Sequence, residues 1–449
     1  MRVRLLRHVP LVLVVALLTA GPASSRQQNF DPLRGSLGRD EPQPIYRANP
    51  TDPWNRVFYL LFTRTVEARI PADFNAPFGG TDDRLILSDR VVPRIESGDR
   101  AIDPLYPSLL WMGSSFDESR RGPWETLKEP RYSLLESALA DVVSTAAARP
   151  PLARALMQAD LWAAFDMFQA VTSFRAYDQN PSDVQSLKDR RDRLLPLIAH
   201  AIRALALTRD RIAALPDTYA AAGKDGRLPD LFSGRSGWIE VRWGDRFHDH
   251  AVHYRRATRV FVKPSAPPAD ESAFVNDLRQ FENHQKLSAV ALVTETLLVA
   301  SDGTVLTTPL VSDVQIRALR HGDRAAAQVR EFELSRRLLL TNPASGGFQE
   351  LDEQSPVYLP AAGNDYSFAS PSLRAPDRRE PVLAPLRQRC AVCHGLNGAR
   401  LMTFNRIFAS RDALPPVERL RPAENLHARD VAARKLTRDD FHALIHLWR

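Results

Sequence analysis

The feature that most constrains the fold is a change in apolar period midway along the chain. Between residues 131 and 220 apolar residues recur at helical spacing. Leu134, Leu135, Ala138, Leu139 and Val142 fall at i, i+1, i+4, i+5 and i+8, which makes one broad helical face. Pro150-Pro151 predicts the end of that helix, and Leu152, Leu156, Leu161, Trp162, Phe165 and Phe168 predict a second. A third is predicted from about Val184 to Leu207, with Pro196 marking a kink or break. Thr208 is placed to cap a short fourth helix over Ile212 to Leu215. From about residue 235 the period falls towards two. Trp238 to Trp243 and Thr258 to Val262 alternate like strands, and Glu271 to Phe281 has the pattern of a helix. Ser288 to Ala300 and Thr304 to Leu310 flank Ser301-Asp302-Gly303, the pattern of a hairpin around an Asp-Gly turn. Residues 324–340 are helical or mixed. These patterns predict an α+β fold with a helical subdomain at 131–220 and a mostly antiparallel α+β region at 221–340.

The flanking regions are less regular. Residues 1–25 read as a signal peptide: Arg2, Arg4 and Arg7 precede the apolar run Pro10 to Ala20, and Ala23-Ser24-Ser25 supplies small residues for cleavage. No later apolar run is long enough to span a bilayer. The expectation is an exported, periplasmic protein with no integral membrane span after cleavage. Residues 26–130 form an irregular N-terminal region, in which Val57 to Ile70 suits either a strand or a short helix. Residues 341–380 read as a linker because of Gly346-Gly347, scattered prolines and serines. The formal charge is +7, three units of it from the N-terminal arginines, and only six of the 60 basic residues are lysine. No basic run is interleaved with aromatics, so nucleic acid is not an expected partner.

The final segment, 381–449, carries the chemistry. Its sequence Cys390-Ala391-Val392-Cys393-His394 contains the only two cysteines of the 449 residues. The C-x-x-C-H spacing is that of covalent haem attachment: two thiols match two vinyl groups, and the next histidine can turn under the macrocycle. Gly395 follows, as a small residue often does. The pentad resembles the attachment site of c-type cytochromes. The resemblance covers this motif and its C-terminal setting, not residues 26–380. It implies one covalent haem c, held by Cys390 and Cys393, with His394 as the proximal iron ligand, in a small helical haem c segment at 381–449. Other readings of the two thiols are a disulfide, or a zinc half-site completed by a residue such as His427.

The second axial ligand departs from the family pattern, which places a methionine many tens of residues downstream. The only later methionine is Met402, eight positions beyond His394. His427, His442 and His446 are alternatives, the last two at i, i+4 on a helix predicted from Thr437 to Arg449. That helix would be capped by Thr437 with Asp440 and would bury Phe441, Leu444, Ile445 and Trp448. A further cluster, His248, His250 and His253 with Asp245 or Asp249, reads as a solvated loop or a transition-metal site. His200 sits at the edge of an apolar face. No phosphate-cradling glycine motif and no G-x-S-x-G elbow occurs. The expected role is electron transfer or redox sensing with an unknown redox partner protein. The alternatives are a peroxidase-like haem enzyme with an open sixth position, or a non-redox exported binding protein whose cysteine pair is a clip.

Overall fold

The computed structural model describes residues 44–62, 65–71, 83–91, 124–170, 181–233, 235–241, 256–277, 286–318, 328–351, 356–359, 382–385 and 426–448. The chain opens on α1 (Pro53–Phe62), where Asp52 accepts from the Trp54 amide at 3.0 Å and so satisfies one open donor of the first turn. Strands β1 (Thr65–Pro71) and β2 (Asp83–Val91) pair antiparallel. The stretch 57–70, open between helix and strand in the sequence, is therefore both in turn.

The helical layer follows. After α2 (Trp124–Leu127), α3 (Arg131–Thr145) buries Leu135, Ala138, Leu139 and Val142, as its period requires. Leu134, at the edge of that arc, is 52% exposed. Helix α4 (Pro151–Ala170) buries residues on nearly every side, among them Leu156, Met157, Leu161, Trp162, Ala164, Phe165 and Phe168, which makes it the central helix of the layer. Helix α5 (Pro181–Leu205) continues through Pro196 without a break. A proline inside a helix costs about 3 kcal/mol. Leu187, Leu194, Ile198, Ile202 and Leu205 are all buried, and each contributes about 1.5–3 kcal/mol. The packing wins. Helix α6 (Arg209–Ala213) is capped by Thr208 as predicted, and α7 (Thr218–Gly223) by Asp217, which accepts from the Ala220 amide at 2.8 Å.

The second half builds a six-stranded antiparallel meander from β3 (Ile239–Val241), β4 (Arg256–Pro264), β5 (Leu287–Val299), β6 (Val305–Ala318), β7 (Gln328–Leu334) and β8 (Phe348–Leu351), adjacent in that order. Helix α8 (Glu271–Asp277) connects β4 to β5, and α9 (Arg336–Thr341) lies between β7 and β8. The β5–β6 hairpin turns at Asp302-Gly303. Gly303 adopts φ 83°, and the Ala300 amide donates to Thr304 O at 2.8 Å. Asp302 accepts from Thr304 and Arg209, which hold its carboxyl down to about 2. The α+β expectation holds.

Residues 341–380 differ from the linker expected of them. Strands β8 and β9 (Pro356–Leu359) lie inside this range. Gly346, at φ 73°, brings the backbone so close to α7 that a Cβ there would lie 2.3 Å from Thr218 O. The glycine pair is a packed corner rather than a hinge. Strand β10 (Val382–Pro385) pairs antiparallel with β9 and parallel with β1, closing a four-stranded sheet of order β2-β1-β10-β9.

The C-terminal residues form α10 (Leu426–Leu436) and α11 (Asp439–His446). The predicted cap of α11 is not made. Arg438 occupies that position without a side-chain bond, Thr437 donates to Arg434 O, and Asp440 turns to Lys435 instead. The predicted face is buried at Phe441, Leu444 and Trp448. Val431, Ala432, Phe441, Leu444 and Trp448 join the same core as α3, α4, α5 and the end of the β5–β6 hairpin. Gln158 of α4 links the layers, donating to Val299 O at 2.9 Å and accepting from Val299 N at 3.0 Å. Two smaller cores lie on the sheet's faces, one under α7 and residues 228–238, the other under α8.

Candidate functional site

Cys390, Cys393, His394 and Met402 lie outside the described residues, as does the 245–253 histidine cluster. What the structure places is the two ends of the segment that carries the haem motif. Cys390 follows Pro385, the last residue of β10, by five positions. Downstream, α10 packs against β4 and β6, and α11 against α4. His427 lies within α10, and His442 and His446 are exposed on α11, away from its buried Phe441 and Leu444. His200 on α5 is exposed as well. Among the described residues no group of three His, Cys, Asp or Glu side chains is placed to hold a metal. No described helix is long and apolar enough to cross a membrane.

Two interior charge clusters emerge that the sequence reading did not anticipate. The first sits on the face of the large sheet under α7. The cross-strand pairs Glu240–Phe261, Arg259–Val293 and Glu295–Ala257 set Glu240, Arg259 and Glu295 on one face of three neighbouring strands. The guanidinium forks onto Glu240, with Nε to Oε1 at 2.8 Å and Nη2 to Oε2 at 2.7 Å. Its remaining nitrogen, Nη1, donates to Glu295 Oε1 at 3.2 Å. Phe232 and Phe261 lie over the cation at 4.6 and 5.4 Å from their ring centroids. All three charged side chains are at most 3% exposed. Burial alone would lower the Arg259 guanidinium, but Glu240 and Glu295 outweigh it and hold it raised. Burial pushes the Glu295 carboxyl up to about 8 against the opposing pull of Arg259.

The second cluster ties the C-terminal helices to the helical layer. Lys435 of α10 is fully buried and donates to Asp166 of α4 at 3.3 Å and to Asp440 of α11 at 2.7 Å. Its ammonium lies 5.5 Å from the Trp162 ring centroid. Asp440 is 20% exposed and also accepts from the Phe441 amide and Arg438. Burial pushes its carboxyl up, but Lys435, Arg438 and the Phe441 amide together outweigh burial and hold the carboxyl below its ordinary range.

One sequence signal marks the first cluster: each of its members interrupts an apolar, β-prone run at strand period. A charge in such a position must find a partner or face water. Nothing local to Lys435 marks it. No protein-family model, no curated protein and no solved structure matches the chain.

Proposed function

We propose that the chain is an exported single-haem protein of c-type-cytochrome character, acting in electron transfer or redox sensing. Cys390 and Cys393 would hold the haem through thioethers, and His394 would be its proximal ligand. One observation carries this reading: the only two thiols of 449 residues fall in C-x-x-C-H. The donor set fits the group, since two soft sulfurs and an adjacent imidazole are what covalent attachment and axial ligation need. Bound haem supplies a one-electron centre. The export signal read in residues 1–25 agrees, because such attachment in bacteria takes place outside the cytoplasm.

The flanks of the motif bear on how its segment would be held. With β10 in a sheet upstream and α10 and α11 packed into the main core downstream, both ends of residues 386–425 are anchored to the rest of the chain. His442 and His446, exposed on α11, remain accessible as axial donors beside Met402 and His427.

The test is expression of the full chain with a haem-maturation system, followed by denaturation. Haem that stays on the wild-type chain, and is lost from the double variant Cys390→Ala/Cys393→Ala, is the expected result. A wild-type chain without covalent haem overturns the proposal and leaves the disulfide or metal-clip reading. Carbon monoxide binding to the reduced protein then separates a filled sixth position from an open one. Replacing Met402, His427, His442 and His446 singly identifies the residue that fills it.

A further inference from the structure

The Arg259 cluster has one cation between two carboxyl groups in the interior, and its geometry divides them unequally. Glu240 takes both arms of the fork, whereas Glu295 receives a single bond on Oε1, and its Oε2 is buried with no hydrogen-bond partner. A charged Glu295 would hold its charge at a site of 0% exposure on one 3.2 Å bond with its second oxygen unbonded, which is far more costly there than a neutral acid. The groups around Glu295 do not correct this. Arg259 of β4 is shared, Glu240 of β3 and Asp217 ahead of α7 are both acidic, and the residue opposite on β6 is Val311.

The position of Glu295 gives its charge state a consequence. The pairing of β5 with β6 shifts register on both sides of Glu295. Opposite it, the Val311 backbone turns out of the regular ladder to α7, its amide donating to Thr218 Oγ1 at 2.8 Å and its carbonyl accepting from that hydroxyl at 3.2 Å. Beyond it, Leu297 to Ala300 belong to the helical core, whereas Ala289 to Val293 belong to the sheet. Glu295 sits where the two cores meet.

We propose that Glu295 is a proton-binding site whose proton holds the junction between the sheet and the helical layer closed, and whose loss at alkaline pH loosens α7 and residues 228–238 from the sheet. The direction of the pH dependence follows. A carboxyl raised in the fold binds its proton more tightly folded than unfolded. It contributes stability that is fully present below its unfolded value and lost as pH rises through about 8.

The test uses the full chain and compares wild type, Glu295→Gln and Glu240→Gln. Glutamine copies the neutral acid, so the Glu295→Gln variant should lose much of the fall in urea midpoint that the wild type shows between about pH 6 and about pH 9. An infrared carbonyl band of a protonated acid should be present in the wild type at about pH 6, fade through about pH 8, and be absent from Glu295→Gln. In Glu240→Gln, the Arg259 fork no longer meets a charged Glu240 and the like charge beside Glu295 is gone, so the same band should fade at lower pH. That arm keeps the test decisive even if Glu295→Gln does not fold. The proposal is overturned by a wild-type band that has already vanished at about pH 6, by equal midpoint slopes in wild type and Glu295→Gln, or by a band whose titration Glu240→Gln leaves unmoved.

Discussion

Both interior clusters set one cation between two carboxyl groups, yet the second carboxyl behaves oppositely in each. Around Lys435 it is Asp440, 20% exposed and held below its ordinary range by Lys435 and its other partners despite burial. Around Arg259 it is Glu295, 0% exposed and pushed up to about 8 by burial. The Asp440 carboxylate keeps contact with water and draws on Arg438 and a backbone amide as well. Glu295 has a third share of one guanidinium and no water. Asp440 has solvent contact and a second cation, whereas Glu295 has neither among the described residues, and these two differences decide whether the extra carboxyl ionises or takes up a proton.

Removing each cation tests this most strongly. Arg259→Met removes the buried cation that bonds both Glu240 and Glu295 and should cost about 3–5 kcal/mol of unfolding free energy in a urea titration near neutral pH. Lys435→Met should cost less, about 2–4 kcal/mol, because Asp440 can turn to water. Equal losses at the two sites would break the comparison. Asp440→Asn takes the charge from the hydrogen bonds to Lys435 and Arg438 at a partly exposed position and should cost about 1–2 kcal/mol near neutral pH. Its pH dependence has the opposite sign to that of Glu295→Gln. A lowered carboxyl contributes stability above its unfolded value that is lost as pH falls through its folded value, so Asp440→Asn should flatten the acid limb and Glu295→Gln the alkaline limb. The smallest effect should come from Glu295→Gln itself at about pH 4, where the acid holds its proton in both the folded and the unfolded chain, so glutamine is nearly equivalent and the loss should stay under about 1 kcal/mol.

Much of the fold is legible in local pattern. The faces of α3, α4 and α11, the Thr208 cap and the Asp302-Gly303 hairpin rest on interactions among residues close in the chain. The misreadings share one cause. Pro196 predicts a kink or a break, and the break does not occur, because buried leucines and isoleucines on both sides of it keep α5 continuous. Gly346-Gly347 read as a linker because local chemistry cannot tell a loose turn from one pressed against Thr218 and Leu339. Thr437 read as a cap because its competing partner, Arg434 O, appears only once α10 ends where it does.

The chemistry divides along the same line. The C-x-x-C-H pattern of Cys390, Cys393 and His394, on which the haem proposal rests, is visible in sequence because it is a spacing within five adjacent residues. The charge clusters had no such signature. Lys435 meets Asp166 across 269 positions and Arg259 meets Glu295 across 36, separations that carry no period and no motif. Sequence alone determined the helical and strand-forming halves and the motif near the C-terminus. Tertiary structure decided that β10 upstream of that motif pairs with β1 and β9, that α10 and α11 downstream join the main core, and which buried carboxyl shares another's cation. Those outcomes depend on which strands and helices become neighbours, and burial fixes their energies only after the neighbours have met.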